Sequence, residues 1–135
     1  MVLKWFLREP DSAAADFLLE KFLNGEAELL APDMMLLETA NALWKRVILR
    51  KELSASEALQ IYADLVTLPL SLIASASVAD AAFRLALKHS HSVYDALYCA
   101  LAIERRCDLV TADRRLVSKL HGVFPFIIHL SAVKS

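Results

Sequence analysis

The hydrophobic pattern of the chain centres on one stretch that has no polar face to turn toward water. From Ala96 to Ile103 every residue is apolar or a tyrosine, a pattern typical of a helix that is buried on all sides. Ser92 precedes this stretch as a predicted N-cap, and one acid, Asp95, stands at its head. An isolated buried carboxylate is too costly in free energy. Asp95 must therefore be capped, paired or bound to a cation.

Elsewhere, apolar residues recur at helical spacing between short β-branched runs. Cap and stop signals, such as the Ser54 and Glu57 capping box, set the boundaries of these elements. The pattern predicts strands at 28–31, 70–74, 109–111 and 126–130, and helices at 12–24, 33–50, 54–66, 77–89, 92–106 and 114–120. Short strands that alternate with helices indicate βα units, in which helices cover a parallel sheet. The sequence therefore predicts a single α/β domain over residues 1–135.

The helix predicted at 33–50 carries an apolar and a polar face. The apolar stripe is expected to point inward and consists of Leu36, Leu37, Ala40, Leu43, Trp44 and Val47. Glu38, Asn41 and Lys45 lie three and four residues apart. Because that spacing places side chains next to one another on a helix, they form one polar line on another face.

Composition narrows the class of protein. The 135 residues suffice for one domain, and 57% of them are hydrophobic while two are glycine, which favours packed helices over an all-β fold. No run approaches the roughly 18–20 apolar residues of a membrane span, so no membrane association is expected. Cys99 and Cys107 lack metal-ligand spacing and indicate thiols in a reducing cytoplasm. The net charge of −1 argues against a broad nucleic-acid-binding surface.

Three acids follow the predicted strands or begin helices next to them. Glu38 lies within two helical turns of the strand at 28–31, Asp113 follows the strand at 109–111, and Asp95 begins the buried helix. Sites in open parallel sheets form at the carboxyl ends of strands, so these acids could converge on one rim. Gathered carboxylates repel one another unless a divalent cation neutralises them. Oxygen ligands suit Mg²⁺ or Mn²⁺, which can activate water for phosphoryl displacement.

Each acid also has a purely structural interpretation. Asp95 is the third helical residue after Ser92 and fits the acid half of a capping box. Asp113 fits an N-cap, and Glu38 fits a solvated acid paired loosely with another member of its polar line. Spacing alone favours these interpretations and does not identify an enzyme.

Two basic runs lie near the acids in the sequence. The residues that follow the last acid are predicted to contact a phosphate backbone; they are Arg114, Arg115 and Lys119. The basic run at 45–51 is interpreted as a solvated helix end. No Ser-His-Asp arrangement, phosphate-binding glycine loop or dinucleotide fingerprint occurs in the sequence.

Four stretches in order give the chain a specific resemblance to a known family. They are residues 2–7 (VLKWFL), 32–44 (PDMMLLETANALW), 92–98 (SVYDALY) and 109–113 (LVTAD). Together they closely resemble PIN-domain proteins of the VapC toxin type, and the resemblance covers the whole chain. It implies a PIN fold, which is a three-layer α/β sandwich with helices flanking a parallel sheet of about four strands.

The resemblance also implies a function. The family consists largely of Mg²⁺- or Mn²⁺-dependent endoribonucleases that hydrolyse RNA in the cytoplasm, are neutralised by a cognate antitoxin and form homodimers. By motif, Glu38, Asp95 and Asp113 would be the catalytic, metal-coordinating acids. Thr111 would be an accessory polar group near the metal, and Asn41 would position Glu38 or the RNA.

One departure from the family pattern concerns the first strand. Family members begin with a strand that ends in an aspartate ahead of the Lys-Trp-Phe segment, and in that register the aspartate falls before Met1. We therefore expect a domain that is N-terminally truncated relative to the family, with weaker metal binding and water activation. The alternative is a catalytically impaired PIN module that binds RNA or an antitoxin without cutting RNA.

Overall fold

The computed structural model describes residues 1–133, which contain six α-helices and four short strands. The helices are α1 (Ser12–Leu23), α2 (Met34–Trp44), α3 (Ala55–Thr67), α4 (Ala79–His89), α5 (Val93–Arg105) and α6 (Arg114–Leu120). The strands are β1 (Leu30–Pro32), β2 (Ser71–Ile73), β3 (Leu109–Thr111) and β4 (Ile127–His129). Every predicted helix and strand is therefore present.

All strand pairing in the described residues is parallel, as an architecture of βα units requires. β1 pairs with β2 with Leu30 opposite Ser71, and β3 pairs with β4 with Leu109 opposite Ile127. The predicted α/β class is thus confirmed, with parallel pairing within each strand pair. The strands form two pairs instead of one continuous sheet: β1 and β3 do not bond to each other within residues 1–133, and both line a cavity of about 1030 Å³.

The apolar stretch forms α5, which is buried along most of the stretch as its pattern predicts, although Ile103 at the end of the stretch is 44% exposed. Its buried residues are Ala96, Leu97, Cys99, Ala100, Leu101 and Ala102. On one side α5 packs along α4 through small side chains such as Ala82 and Ala86, and on the other side Cys99 packs against Leu120 and Ile127. It also contacts β1 and β3, so this helix anchors both strand pairs. Within residues 1–133, no helix combines the length and the apolar character needed to cross a membrane.

The predicted inward stripe of α2 is wrong in part. The buried residues of this helix are Met35, Thr39 and Leu43, whereas Leu37 is 73% exposed and Trp44 is 50% exposed. α2 carries apolar side chains on more than one face, so their spacing does not decide which face turns inward. Thr39 is accommodated in the buried stripe because its hydroxyl donates to the Met35 sulfur at 3.5 Å.

The helix predicted to continue to residue 50 changes its hydrogen bonding after α2. Residues Lys45–Leu49 form a π-helical turn, in which the Arg50 N–H donates to the Lys45 carbonyl at 3.0 Å. The polar line predicted on this helix is confirmed, since all three of its residues are exposed.

Local sequence signals define two further helix boundaries as predicted. At α3, the Glu57 N–H donates to Ser54 Oγ at 3.0 Å and the Ser54 N–H donates to Glu57 Oε2 at 2.7 Å, which completes the capping box. At the end of α1, Gly25 takes the left-handed conformation with φ of 74°, as a glycine after a helix commonly does.

Candidate functional site

The five residues predicted to form the site lie around one cavity. Glu38, Asn41, Asp95, Thr111 and Asp113 all line the cavity of about 1030 Å³ beside β1 and β3. Their positions follow from the chain topology, because α2 begins directly after β1, α6 begins directly after β3, and α5 packs against both strands. Helices that begin directly after parallel strands start at the same edge of the structure, where the carboxyl ends of the strands lie.

Glu38 is held by a hydrogen bond that crosses from α5 to α2. Tyr98 Oη donates to Glu38 Oε1 at 3.2 Å, and Tyr98 also lines the cavity. Burial and the negative charge of Glu38 raise the pKa of the Tyr98 hydroxyl far above its ordinary value, so Tyr98 stays a neutral donor. Sequence reasoning missed this role. The available signal was that Tyr98 lies three residues after Asp95 on one face of a helix.

Glu38 and Asp95 interact electrostatically. Partial burial of its carboxyl group raises the pKa of Glu38, and the negative charge of Asp95 raises it further. The Tyr98 hydrogen bond and the positive charge of the Met1 amino group act on the Glu38 pKa in the opposite direction. Two carboxylates that repel each other in this way favour the binding of a cation between them.

The carboxylate of Asp95 is available for such a role. Ser92 Oγ accepts the N–H of Asp95 at 3.2 Å and so caps α5 as predicted. The reciprocal bond of a capping box, from the Ser92 N–H to the Asp95 carboxylate, does not form among the residues that the structure describes. The capping-box interpretation of Asp95 is therefore wrong, because the cap uses its backbone and not its side chain.

Asp113 is an N-cap, as one interpretation of its position predicts. Its Oδ1 accepts the N–H groups of Arg115 at 2.9 Å and Leu116 at 3.2 Å at the start of α6. Thr111 Oγ1 accepts the N–H of Asp113 at 3.1 Å, so Thr111 shapes the turn between β3 and α6. The cap uses Oδ1 alone, which leaves Oδ2 of the same carboxylate available to a ligand.

The oxygen donors at the cavity suit a hard divalent cation. Mg²⁺ typically binds through one or two carboxylates and keeps several waters, and the Glu38 and Asp95 pair meets that requirement. In the part of the chain that the structure describes, no group of three or more His, Cys, Asp or Glu side chains is gathered closely enough to hold a metal ion. Asp113 is therefore not assembled with the other two acids into one three-ligand set.

The basic residues predicted to contact phosphate follow Asp113 in sequence but do not line the cavity. Lys119 Nζ donates to the Ser90 carbonyl at 2.9 Å, and the guanidinium of Arg114 lies 3.8 Å from the carboxylate of Asp11. Neither these two side chains nor Arg115 line the cavity. Their contact with RNA stays a prediction.

Other cations line the cavity, and sequence reasoning assigned them to a solvated helix end. They are Lys45, Arg46 and Arg50. Arg46 forms ion pairs with Glu9 and with Glu52, the latter at 3.3 Å. β1, α2 and the basic run follow one another in the chain, and residues of all three line the cavity. The sequence of the basic run does not itself indicate that these cations lie on the cavity wall.

The raised pKa of Glu38 predicts that the charged form of this residue lowers the free energy of unfolding of the metal-free protein at neutral pH. The folded protein binds a proton at Glu38 more tightly than the unfolded chain does, so its stability falls as the pH rises through the raised pKa. Because Glu38 is exposed to solvent, which screens its charge, Glu38→Gln should raise the melting temperature in EDTA only slightly at pH 7. It should give a smaller gain at pH 4, where the carboxyl group is largely protonated.

Thermal unfolding followed by circular dichroism measures both melting temperatures. Glu104→Gln, at an exposed position of α5 that does not line the cavity, is the matched control and should leave both nearly unchanged. A gain from Glu38→Gln that is as large at pH 4 as at pH 7 would contradict the electrostatic explanation.

Two comparisons with known proteins agree with the resemblance seen in the sequence. The family model of the PIN domain matches residues 1–120. Ribonuclease VapC3 of Pyrobaculum aerophilum is 38% identical over 112 residues, which cover 81% of this chain and 81% of that protein. The region that matches the family model contains all of the predicted site residues.

Proposed function

Because the chain belongs to the PIN-domain family, we propose that it is a metal-dependent endoribonuclease and the toxin of a toxin–antitoxin pair. The observation that carries the proposal is the single cavity lined by Glu38, Asp95 and Asp113. The similarity to a protein named as a ribonuclease supports RNA as the substrate.

The three acids are proposed to place a divalent cation beside the scissile phosphate. Glu38 and Asp95 would hold Mg²⁺ or Mn²⁺, and Asp113 would contribute Oδ2 as a further ligand while its Oδ1 caps α6. When bound, the cation would lower the pKa of a water molecule and neutralise negative charge during hydrolysis of the phosphodiester bond. The free carboxylate of Asp95 supports this role, since no capping bond occupies it.

Three further side chains are proposed to position the acids or the substrate. Tyr98 donates to Oε1 of Glu38, which leaves Oε2 of that carboxylate for the cation. Thr111 orients Asp113 through the turn after β3. Asn41 lies one helical turn after Glu38 on the exposed face of α2 and is proposed to contact the RNA.

The proposed partners are a cognate antitoxin and a second copy of the chain. Large apolar side chains on α2 and α3 are exposed, among them Leu37, Trp44, Leu59 and Val66. Exposed apolar patches commonly mark protein–protein interfaces, so these side chains support a protein partner.

The proposed location is the cytoplasm. Cys99 and Cys107 are free thiols, which suits a reducing compartment. A ribonuclease toxin also meets its RNA substrate there.

Incubation of the purified protein with RNA in Mg²⁺ or Mn²⁺ tests the proposed activity. We expect cuts at internal positions of the RNA with either ion and intact RNA in EDTA, because the acids repel phosphate unless a cation lies between them. Gel electrophoresis of end-labelled RNA measures the cleavage. Equal cleavage in EDTA, or intact RNA with both ions, would refute the proposal.

The second candidate function is a PIN module that binds RNA or an antitoxin without cutting RNA. It is favoured by one observation, which is that residues 1–133 gather no three-ligand group for a metal ion. RNA binding by fluorescence anisotropy, together with the absence of cleavage in Mg²⁺ and Mn²⁺, would support this module over the enzyme.

A further inference from the structure

Two cations on the wall of the cavity are not engaged by the fold. Lys45 and Arg50 both line the cavity and both are exposed. Neither side chain forms an ion pair or a hydrogen bond with another of the residues that the structure describes. Arg46, which lies between them in sequence, is committed to Glu9 and Glu52. Among the cations of this run that line the cavity, the unpaired positive charge is therefore that of Lys45 and Arg50.

The π-helical turn Lys45–Leu49 brings these two cations onto the same side of the helix. Its hydrogen bond joins the Arg50 N–H to the Lys45 carbonyl, five residues apart, so Arg50 lies one turn beyond Lys45. In an uninterrupted α-helix the residue one turn beyond Lys45 would be Leu49, and Arg50 would be rotated away from that face. π-Helical turns are rare and are frequent at functional sites.

The two cations continue the polar line that begins at the acids. Glu38, Asn41 and Lys45 lie on one exposed face of α2, and all three line the cavity. At a rise of 1.5 Å per residue, Lys45 lies about 10 Å along the helix axis from Glu38. A cation at that separation from the acids is positioned to contact a neighbouring phosphate of the RNA strand, and not the phosphate beside the acids.

From this arrangement we infer that Asn41, Lys45 and Arg50 form a phosphate-binding track that guides the RNA strand away from the acids along α2 and the π-helical turn. The inference rests on the proposed function, because it assigns substrate contacts to the same cavity. Contacts to phosphate position a strand without reading its bases. The track therefore determines where the RNA strand lies, and it leaves the choice of sequence to other contacts.

RNA binding in EDTA tests the track without requiring cleavage. Fluorescence anisotropy with a short labelled single-stranded RNA compares Lys45→Ala/Arg50→Ala with the wild-type protein over a range of salt concentrations. Each lost phosphate contact reduces the slope of log K against log salt concentration by about 0.7 for single strands. We expect the slope of the double variant to be smaller by about 1.4, with several-fold weaker binding at low salt.

Arg84→Ala/Lys88→Ala is the matched control. It removes the same charge from exposed positions of α4 that do not line the cavity, and we expect it to keep the wild-type slope. Circular dichroism checks that both double variants fold.

Three results of the RNA-binding measurements would overturn the track. They are an unchanged slope in Lys45→Ala/Arg50→Ala, an equal change in the α4 control, and an absence of RNA binding by the wild-type protein. Weakened binding of a protein partner with intact RNA binding would also overturn it and would make this surface a contact for an acidic protein segment. Failure of the proposed function is seen separately, as intact RNA when the wild-type protein is given Mg²⁺ or Mn²⁺, while the salt dependence of RNA binding stays measurable.

Discussion

Asp95→Asn is expected to reduce metal-dependent RNA cleavage by about 100-fold or more while the fold stays intact. The substitution keeps the shape of the side chain and removes the negative charge that, with Glu38, attracts the cation. The cap of α5 survives because Ser92 accepts the backbone N–H of residue 95, which asparagine retains. Initial rates of cleavage in Mg²⁺ or Mn²⁺ measure the loss, and circular dichroism monitors the fold.

Asp108→Asn provides a matched control for this prediction. Asp108 is also an aspartate that lines the cavity, but it precedes β3, whereas Asp113 follows that strand. We expect Asp108→Asn to cut RNA at close to the wild-type rate. Wild-type cleavage by Asp95→Asn would remove Asp95 from the proposed metal ligands, and equal losses in both variants would point to the general charge of the cavity.

Leu97→Ala is expected to lower the free energy of unfolding by about 2–5 kcal/mol. Leu97 is 4% exposed and belongs to the cluster that joins α5 to Ala82 and Ala86 of α4. Truncation removes buried apolar surface and leaves a cavity that the small side chains of α4 cannot fill. Because a domain of this size has a stability of about 5–15 kcal/mol, the loss is a large fraction of the total.

Urea unfolding followed by circular dichroism measures the effect of Leu97→Ala. Tyr94→Ala changes a residue of the same helix that is 68% exposed, and it should stay within about 0.5 kcal/mol of the wild-type protein. A loss below about 1 kcal/mol for Leu97→Ala, well under the usual range, would contradict a core centred on the packing of α4 against α5.

The elements that the sequence predicts well are those with local causes. β3 and the start of α6 follow from one β-branched run and the cap supplied by Asp113, and the start of α5 follows from Ser92. The capping box of Ser54 and Glu57 joins residues three positions apart. Each of these features depends on a few neighbouring residues, so their types and order suffice to predict it.

Features that depend on contacts between distant segments could not be predicted in this way. The inward face of α2 is one example, since packing against other elements buries Thr39 and exposes Leu37. The hydrogen bond from Tyr98 to Glu38 is another, because it joins residues 60 positions apart. The pairing of the strands likewise depends on how both pairs pack on α5, which periodicity does not describe.

The candidate site could be predicted in its residues but not in its geometry. The resemblance singles out Glu38, Asp95 and Asp113, whereas spacing alone favours structural roles. The structure contains part of each interpretation, because one oxygen of Asp113 caps α6 while the carboxylate of Asp95 takes no part in a cap. How closely the three acids approach one another depends on the tertiary fold, so their roles as metal ligands stay a proposal.

The division of the strands into two pairs has a consequence for the motions of the domain. Each strand has three residues, so the largest share of the backbone hydrogen bonding and the main core lie in the helices. Glu38 lies on α2, Asp95 lies at the start of α5, and Asp113 lies in the turn before α6. Within residues 1–133, no hydrogen bond between the two strand pairs fixes these segments relative to one another. A ligand that bridges α2, α5 and the turn before α6 would restrain their relative motion and stabilise the folded domain by mass action.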